Sequence, residues 1–384
     1  MAIKVGVDAG NNGTKIWSEG QDPFMIPAVY SEYLGVTVDR VDSEDIHPGE
    51  LHTNFDATFS SPSLLFSNTR YIVGQKVLND HLEAIEMERI SNKATDDVPV
   101  ITTLTGLTID AIRRNPDQDK IKETYDLGVA LPVGTINPEV AKEYEKRYEG
   151  THTIEFHHPT GRNVRVEIEI EFCKCLPEGA SAAWGVVYDE NGKVTTRKIE
   201  DDNGVSKVSY EDKTLLHFDI GAGTTEIVVT QGVAFKPTLS EGRWYGTKQT
   251  ILDIIKRWNK VYERKTIDSI VEFNEIFFDS EHPRHIDLKE FSVQFFRQLA
   301  KKFSADMINK IDEMKDDPYV FVYGGGAALI KQDLEVILKH KKRAKNVIFL
   351  NDPIFVNARG LLVYVSSPRF KQQKESKLGV SQDA

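Results

Sequence analysis

Apolar runs broken by an acid and a glycine are the clearest pattern in this chain. IKVGVDAGNNGTKIW, starting at Ile3, reads as strand, glycine turn, strand. HFDIGAGTTEIVV, His217 to Val229, has the same form. Between and after these runs the period changes repeatedly from two to about 3.6. The spacing predicts a helix over 98–115, then a buried strand in YDLGVALPVG that ends at Pro132. Asn137-Pro138 is a helix start, a capping side chain followed by Pro at the first position. The helix it opens, VAKEYEKRYEG, is charged and reads as exposed. THTIEFHH and NVRVEIEIEF alternate about a PTGR turn and predict a hairpin, and EGASAAWGVV predicts a short helix. Residues 189–213 are polar, with an Asn-Gly turn on each side of a short strand, and read as an exposed β-excursion.

Later segments continue the mixture. TKQTILDIIKRWNKVY and FSVQFFRQLAKKFSADMINKIDEM are helical by period, YVFVYGGGAALI is strand, triple glycine, helix, and NVIFLNDP is one more strand. FVNARGLLVYV reads as a closing helix, and the polar tail KQQKESKLGVSQDA as disordered. Strands and helices intermix throughout, so the predicted class is α/β.

The two glycine turns echo each other. Asp8, Gly10, Thr14 and Ile16 stand at the same offsets as Asp219, Gly221, Thr225 and Ile227, both sets fitting D-x-G-x-x-x-T-x-I. Glycines let backbone N–H groups approach a ligand, either through a positive φ or by removing the Cβ. A turn of such amides cradles an anion, and Thr or Ser hydroxyls add donors. An Asp in each turn would repel a bare phosphate but suits a magnesium ion held through water. Two such hairpins facing each other would hold a nucleoside triphosphate. Gly324, Gly325 and Gly326, between a strand and a helix, add open amides at a helix N-terminus and room for a base and ribose. There is no G-x-x-x-x-G-K-[ST], and no G-x-G-x-x-G follows the first strand, so the other common nucleotide folds fit poorly.

Composition narrows the class further. The 384 residues are 40% hydrophobic and 28% charged, which fits a globular protein with a real core, and allow two domains. A formal net charge of −11 argues against direct DNA binding and is compatible with a basic partner. Cys173 and Cys175, spaced C-x-C on a strand, point the same way and read as reduced, buried thiols suited to the cytoplasm. The N-terminus enters a strand at once, without a signal peptide or amphipathic anchor, and no run reaches membrane-spanning length. His157-His158, beside a turn, reads as surface.

The three motifs, in this order, resemble the actin-like ATPase superfamily of actins, heat-shock ATPases and sugar kinases. DAGNNGTK and YVFVYGGGAALI are most similar to the plasmid-segregating actins of the ParM type. The resemblance implies two similar domains flanking a nucleotide cleft, each with a small subdomain. The first is 1–214, with a small subdomain at about 33–97, the β-excursion at about 188–213, and completion by a C-terminal helix at 353–370. The second is 215–352, with a small subdomain at about 251–295. It also implies nucleotide contacts from Asp8, Gly10, Asn11, Asn12, Gly13, Thr14 and Lys15, from Asp219, Gly221, Ala222, Gly223, Thr224 and Thr225, and from Gly324 to Gly326. Asp8 and Asp219 would hold magnesium through water. The family's water-orienting residue corresponds to Glu178 in CLPEGASAAWG. An acid there equally suits the helix dipole, Lys15 equally suits a solvated strand, and Lys248 is a further phosphate candidate.

The implied function is an ATPase, with GTP an alternative nucleotide, that polymerises into filaments and segregates plasmid DNA. A basic DNA-binding adaptor at a centromere-like site would link filament to plasmid, with neither direct DNA contact nor a membrane. A small-molecule kinase of the same fold is the main rival, and another cytoskeletal actin homologue the second. A kinase needs a substrate pocket with its own base, to which nothing in the sequence points. A chaperone would need a further domain after the closing helix, and a membrane-tethered actin an amphipathic end. The 189–213 excursion departs from the family pattern.

Overall fold

Alternation along the first strand sets the layering of the molecule. In the strand β1 (Ile3–Gly10), Val5 and Val7 join an apolar core, so Gly6 and Asp8 lie on the opposite face. The computed structural model describes residues 2–35, 48–87, 92–158, 161–201, 204–314 and 317–379. After β1 come β2 (Gly13–Ser18), β3 (Phe24–Ile26), β4 (Val29–Glu32), β5 (Phe55–Ser60), β6 (Thr69–Val73), α1 (Gln75–Asn79) and β7 (Ile85–Glu86). The chain continues through α2 (Asp97–Arg114), β8 (Lys120–Leu131), α3 (Pro138–Tyr148), β9 (Gly150–His157), β10 (Asn163–Pro177) and α4 (Ala180–Val187). There follow β11 (Thr196–Asp201), β12 (Gly204–Ser209), β13 (Thr214–Ile220), β14 (Thr225–Gln231), β15 (Ala234–Phe235) and β16 (Glu241–Arg243). The last elements are α5 (Lys248–Val261), α6 (Ile270–Phe278), α7 (His285–Glu313), β17 (Tyr319–Tyr323), α8 (Gly325–His340), β18 (Val347–Phe349), α9 (Val356–Val365) and α10 (Pro368–Leu378).

The chain divides into two compact units, Met1–Thr195 with Phe355–Ala384, and Thr196–Ile354. Each has its own apolar core. The polar excursion is split by this division: Tyr188 bridges to Val194 in the first unit, while β11 and β12 pair in the second. One of its expected turns, at 203–204, and part of the PTGR turn fall outside the described residues. In the first unit the sheet order is β3-β2-β1-β8-β10-β9-β5-β6-β4-β7. In the second it is β15-β14-β13-β17-β18, with β16 also on β14. The two share a motif: an antiparallel hairpin (β1–β2, β13–β14) followed by two parallel strands (β8 and β10, β17 and β18).

α9 returns to the first unit and lies directly on β1 and β8. A Cβ on Gly6 would sit 2.1 Å from the Ala358 carbonyl, and one on Gly128 2.9 Å from Val365 Cγ2, so only glycine permits that approach.

Two expectations are corrected. α3 starts where predicted, Asn137 accepting from the Glu139 and Val140 N–H groups, but it is not simply an exposed charged helix. Tyr144, Glu145 and Tyr148 are buried along one stripe, and Glu145 accepts from the Cys175 N–H at 2.9 Å and Lys174 Nζ at 2.7 Å. A carboxylate can be buried there because strand and lysine donors satisfy it. The tail is helical as α10 to Leu378. Ser367 caps it, Phe370 packs on Phe172 and Tyr364, Lys374 bonds Asp126 and Glu171, and Lys377 bonds Glu149. Cys173 and Cys175 are both buried and free. No described helix is long and apolar enough to cross a membrane.

Candidate functional site

The first hairpin places its residues by register. Asp8 faces Lys15, Ala9 faces Thr14 and Gly10 faces Gly13, leaving Asn11 and Asn12 exposed at the tip. Asp8 is buried, with Lys15 Nζ 3.8 Å from its Oδ2. Neither Gly10 nor Gly13 has a positive φ. Their part is room: a Cβ on Gly10 would stand 2.7 Å from Lys15 Nζ. Thr14 does not face the tip. Its hydroxyl is buried 2.7 Å from that of Thr102 on α2, which in turn donates to the Val98 carbonyl.

Glu178 lies just past β10, where β10 still pairs with β8 and the Glu178 N–H donates to the Leu131 carbonyl at 2.8 Å. Asn357, the second residue of α9, fixes the next turn by accepting from the Gly179 N–H at 3.3 Å and Ser181 Oγ at 3.1 Å. The Glu178 side chain meets a residue that the sequence reading missed. Lys93 Nζ donates to Glu178 Oε1 at 2.5 Å, and both side chains are buried. Burial pushes the Glu178 carboxyl above its ordinary value, against the pull of Lys93. Burial also works against the Lys93 ammonium, but Glu178 and Asp8 together hold it above the usual lysine value. The first unit thus gathers buried Asp8, Lys93 and Glu178 with half-buried Lys15 into one group of two carboxylates and two ammoniums.

The second hairpin repeats the register. Asp219 faces Glu226 and Ile220 faces Thr225, as Asp8 faces Lys15 and Ala9 faces Thr14. Its loop is longer, Gly221 to Thr224, closed by a Gly221 N–H to Thr224 carbonyl bond of 3.0 Å. The start of α5 supports it, with Thr247 and Lys248 N–H groups donating to the carbonyls of Gly221 at 3.2 Å and Ala222 at 2.9 Å. Gly221, Ala222, Gly223 and Thr224 remain half-buried. Thr225 is buried and donates its hydroxyl to the Tyr245 carbonyl at 2.8 Å. β13 runs parallel to β17, with Asp219 opposite Tyr323, and this brings the glycine run to the hairpin. Gly324 has φ 89° and ψ 161°, a conformation that glycine alone adopts readily, and a Cβ there would stand 2.5 Å from Asp219 Oδ1. Gly325 is exposed at the first turn of α8, and Gly326 is buried.

A lone carboxylate on each hairpin suits a hydrated magnesium ion better than a stripped one. Among the described residues no three His, Cys, Asp or Glu side chains converge as a metal cage. Single carboxylates at Asp8 and Asp219 match an ion that keeps most of its waters. His157 bonds Thr58 at 2.8 Å and Asn163 at 3.3 Å within its sheet.

Comparison with known proteins bears on the fold. Residues 6–180 match a family model described as "Actin like proteins N terminal domain". No curated protein matches by sequence. Among solved structures, the actin-like protein Alp7A superposes with a TM-score of 0.75 at 16% identity, covering 99% of this chain and 100% of that one. Bacillus thuringiensis ParM with AMPPNP gives 0.68 at 17% identity, covering 97% and 99%. An archaeal actin homolog gives 0.63 at 16% identity, covering 94% and 99%. The fold of this chain is that of the actin-like ATPases.

Proposed function

We propose that this chain, an actin-like protein with the fold of the ParM-type structures, is a nucleotide-driven polymerising ATPase. One observation carries the reading: an acid-bearing hairpin of the same register recurs in both units, each time on the sheet face away from the core. Packing alone does not call for that repetition, whereas a phosphate-binding role for each hairpin does. The B. thuringiensis ParM structures carry AMPPNP, ATP or ADP, which supports a nucleotide ligand here.

In this reading the backbone N–H groups of the turn from Gly10 to Gly13 and of Ala222 to Thr224 bind phosphate oxygens, and Lys15 neutralises charge on them. Lys248 is a further phosphate contact. The N-terminus of α8, at Gly324 to Gly326, takes the nucleoside. Asp8 and Asp219 would hold magnesium through water, and the ion would offset triphosphate charge. Thr14 and Thr225 act through the fold, by tying each hairpin to its support. Glu178 orients the attacking water and accepts its proton; a carboxyl raised by burial is better suited to that than an ordinary one. Loss of the terminal phosphate then weakens the polymerising state. We further propose that the filaments segregate plasmid DNA in the cytoplasm through a basic adaptor. The net charge of −11 supports such a partner and disfavours direct DNA contact.

Light scattering and pelleting after addition of Mg-ATP, Mg-GTP or a non-hydrolysable analogue test the proposal. Hydrolysable nucleotide should give a rise that decays, and the analogue a rise that persists. Absence of any rise, together with phosphate transfer to a metabolite, would replace it with a kinase. Glu178→Ala should bind and assemble but hydrolyse about 10²- to 10⁴-fold more slowly. A normal rate would remove Glu178 from its role.

A further inference from the structure

The Lys93–Glu178 pair stands out because the fold goes to some length to make it. Lys93 sits in the turn before α2, and that turn is built rigidly. Asn92 accepts from the Ala94 N–H through its side chain at 3.2 Å and from the Thr95 N–H through its carbonyl at 2.8 Å. Asp96 caps α2 by accepting from the Val98 N–H at 2.9 Å. From α3, Arg147 donates to the carbonyls of Ala94 at 3.2 Å and Asp96 at 2.5 Å, and it also pairs with Asp97. The lysine is therefore held in place from both sides along its backbone. A buried ion pair seldom stabilises a fold more than apolar residues of the same volume would. Stability is thus a weak reason for carrying a lysine into this site.

The position of the pair supplies a better reason. Glu178 is the proposed water-orienting residue, and a carboxylate bound at 2.5 Å by an ammonium is a poor proton acceptor. Lys93 also feels Asp8, on the hairpin proposed to hold the phosphates. An ammonium has three donors, and a terminal phosphate offers several acceptors and more charge than one carboxylate.

We propose that Lys93 is a positioning residue that answers to the terminal phosphate. Without it, Lys93 holds Glu178. With a triphosphate bound, Lys93 turns to the terminal phosphate and frees Glu178 to orient water. A diphosphate offers no terminal phosphate, so the pair stays closed. The inference rests on the nucleotide reading above.

The test compares wild type, Lys93→Met, Lys93→Arg, Glu178→Gln and the double variant Lys93→Met/Glu178→Gln. ATP and ADP binding and steady-state hydrolysis are measured for each. The double variant replaces the ion pair with neutral side chains and keeps the test open if the unpaired Glu178 of Lys93→Met unfolds the chain. Lys93→Met should keep ADP affinity, lose about tenfold of the preference for ATP over ADP, and lose kcat. Lys93→Arg should recover part of the ATP preference, since it keeps the charge. In the Glu178→Gln background, Lys93→Met should lose the ATP preference again, because with a triphosphate bound Lys93 contacts the phosphate and not Glu178. An unchanged ATP preference in Lys93→Met would overturn the inference alone, as would a loss of preference that disappears in the Glu178→Gln background. Wild type that binds no nucleotide would overturn the proposed function, and this inference with it.

Discussion

Two residues before each hairpin acid, the two units solve one packing problem in opposite ways. In the first, Gly6 on β1 stands beside Gly128 on β8, and the bare patch receives the backbone of α9. In the second, His217 on β13 stands beside Phe321 on β17, their rings stacked 5.7 Å apart, with Tyr210 edge-on to Phe321 at 5.1 Å. The strand order and register are the same; the covering of the non-core face is not. What persists is the acid two residues on, Asp8 or Asp219. A feature kept while its packing surroundings change is better explained by a ligand than by the core.

The largest effect should come from closing the bare patch. Gly6→Val would drive a side chain into the Ala358 carbonyl, which already lies 2.1 Å from an ideal Cβ. Displacing α9 should cost about 3 kcal/mol or more. Urea and thermal melts that match wild type would show that α9 does not need this contact.

Gly324→Ala comes next. Its φ of 89° and the Asp219 oxygen 2.5 Å from the new Cβ should together cost about 1–3 kcal/mol. Gly10→Ala should cost less, because the Cβ would meet only the movable end of Lys15, 2.7 Å away. Equal losses of melting temperature would mean that the two glycines serve the same purpose.

These contrasts show where the sequence was readable. The shared D-x-G-x-x-x-T offsets foretell the shared register, because cross-strand pairing in a tight hairpin follows directly from spacing. The triple glycine is legible for the same reason, being local. Of the two uses of glycine in a hairpin, Gly10 and Gly13 provide room rather than a positive φ. Lys93 was illegible. In ISNKATDD it looks like one more solvated lysine, and its burial depends on Glu178, 85 residues away. Burial on α3 was hidden likewise: Tyr144 and Tyr148 hint at an apolar stripe, but nothing local says that Glu145 faces β10. α10 needed Asp126, Glu149 and Glu171 on distant strands to hold its lysines.

The covering at His217 should also make β13 sensitive to acid. Burial pushes the His217 imidazole from 6.5 down to about 3, and among the described residues its Nδ1 has no hydrogen-bond partner. The folded state therefore holds it neutral, while the unfolded chain takes up a proton as pH falls below 6.5. Its contribution is full above that pH and declines by roughly 1.4 kcal/mol per pH unit below it, until the folded imidazole also protonates. Gly6 has nothing to titrate. Hydrogen exchange between pH 7 and 5 should show β13 loosening, and His217→Gln should flatten that trend. An unchanged slope in the variant would place the acid sensitivity elsewhere.

The smallest effect bears on the hairpin acids themselves. Asp8 faces a lysine across its hairpin, and Asp219 faces Glu226, which is 2% exposed. Opposite charges across a ladder help by about 0.2–1 kcal/mol, and like charges hurt by a similar amount. In EDTA, Asp8→Asn should therefore lower the melting temperature slightly and Asp219→Asn should raise it. Both should weaken nucleotide binding in magnesium, since each removes a carboxylate proposed to hold the ion. The opposite signs without metal, and the same sign with it, separate what the fold needs from what the ligand needs. Shifts of the same sign in EDTA would mean that cross-strand charge does not distinguish the hairpins. An affinity for Mg-ATP that neither substitution changes would leave the repeated acids without their proposed purpose.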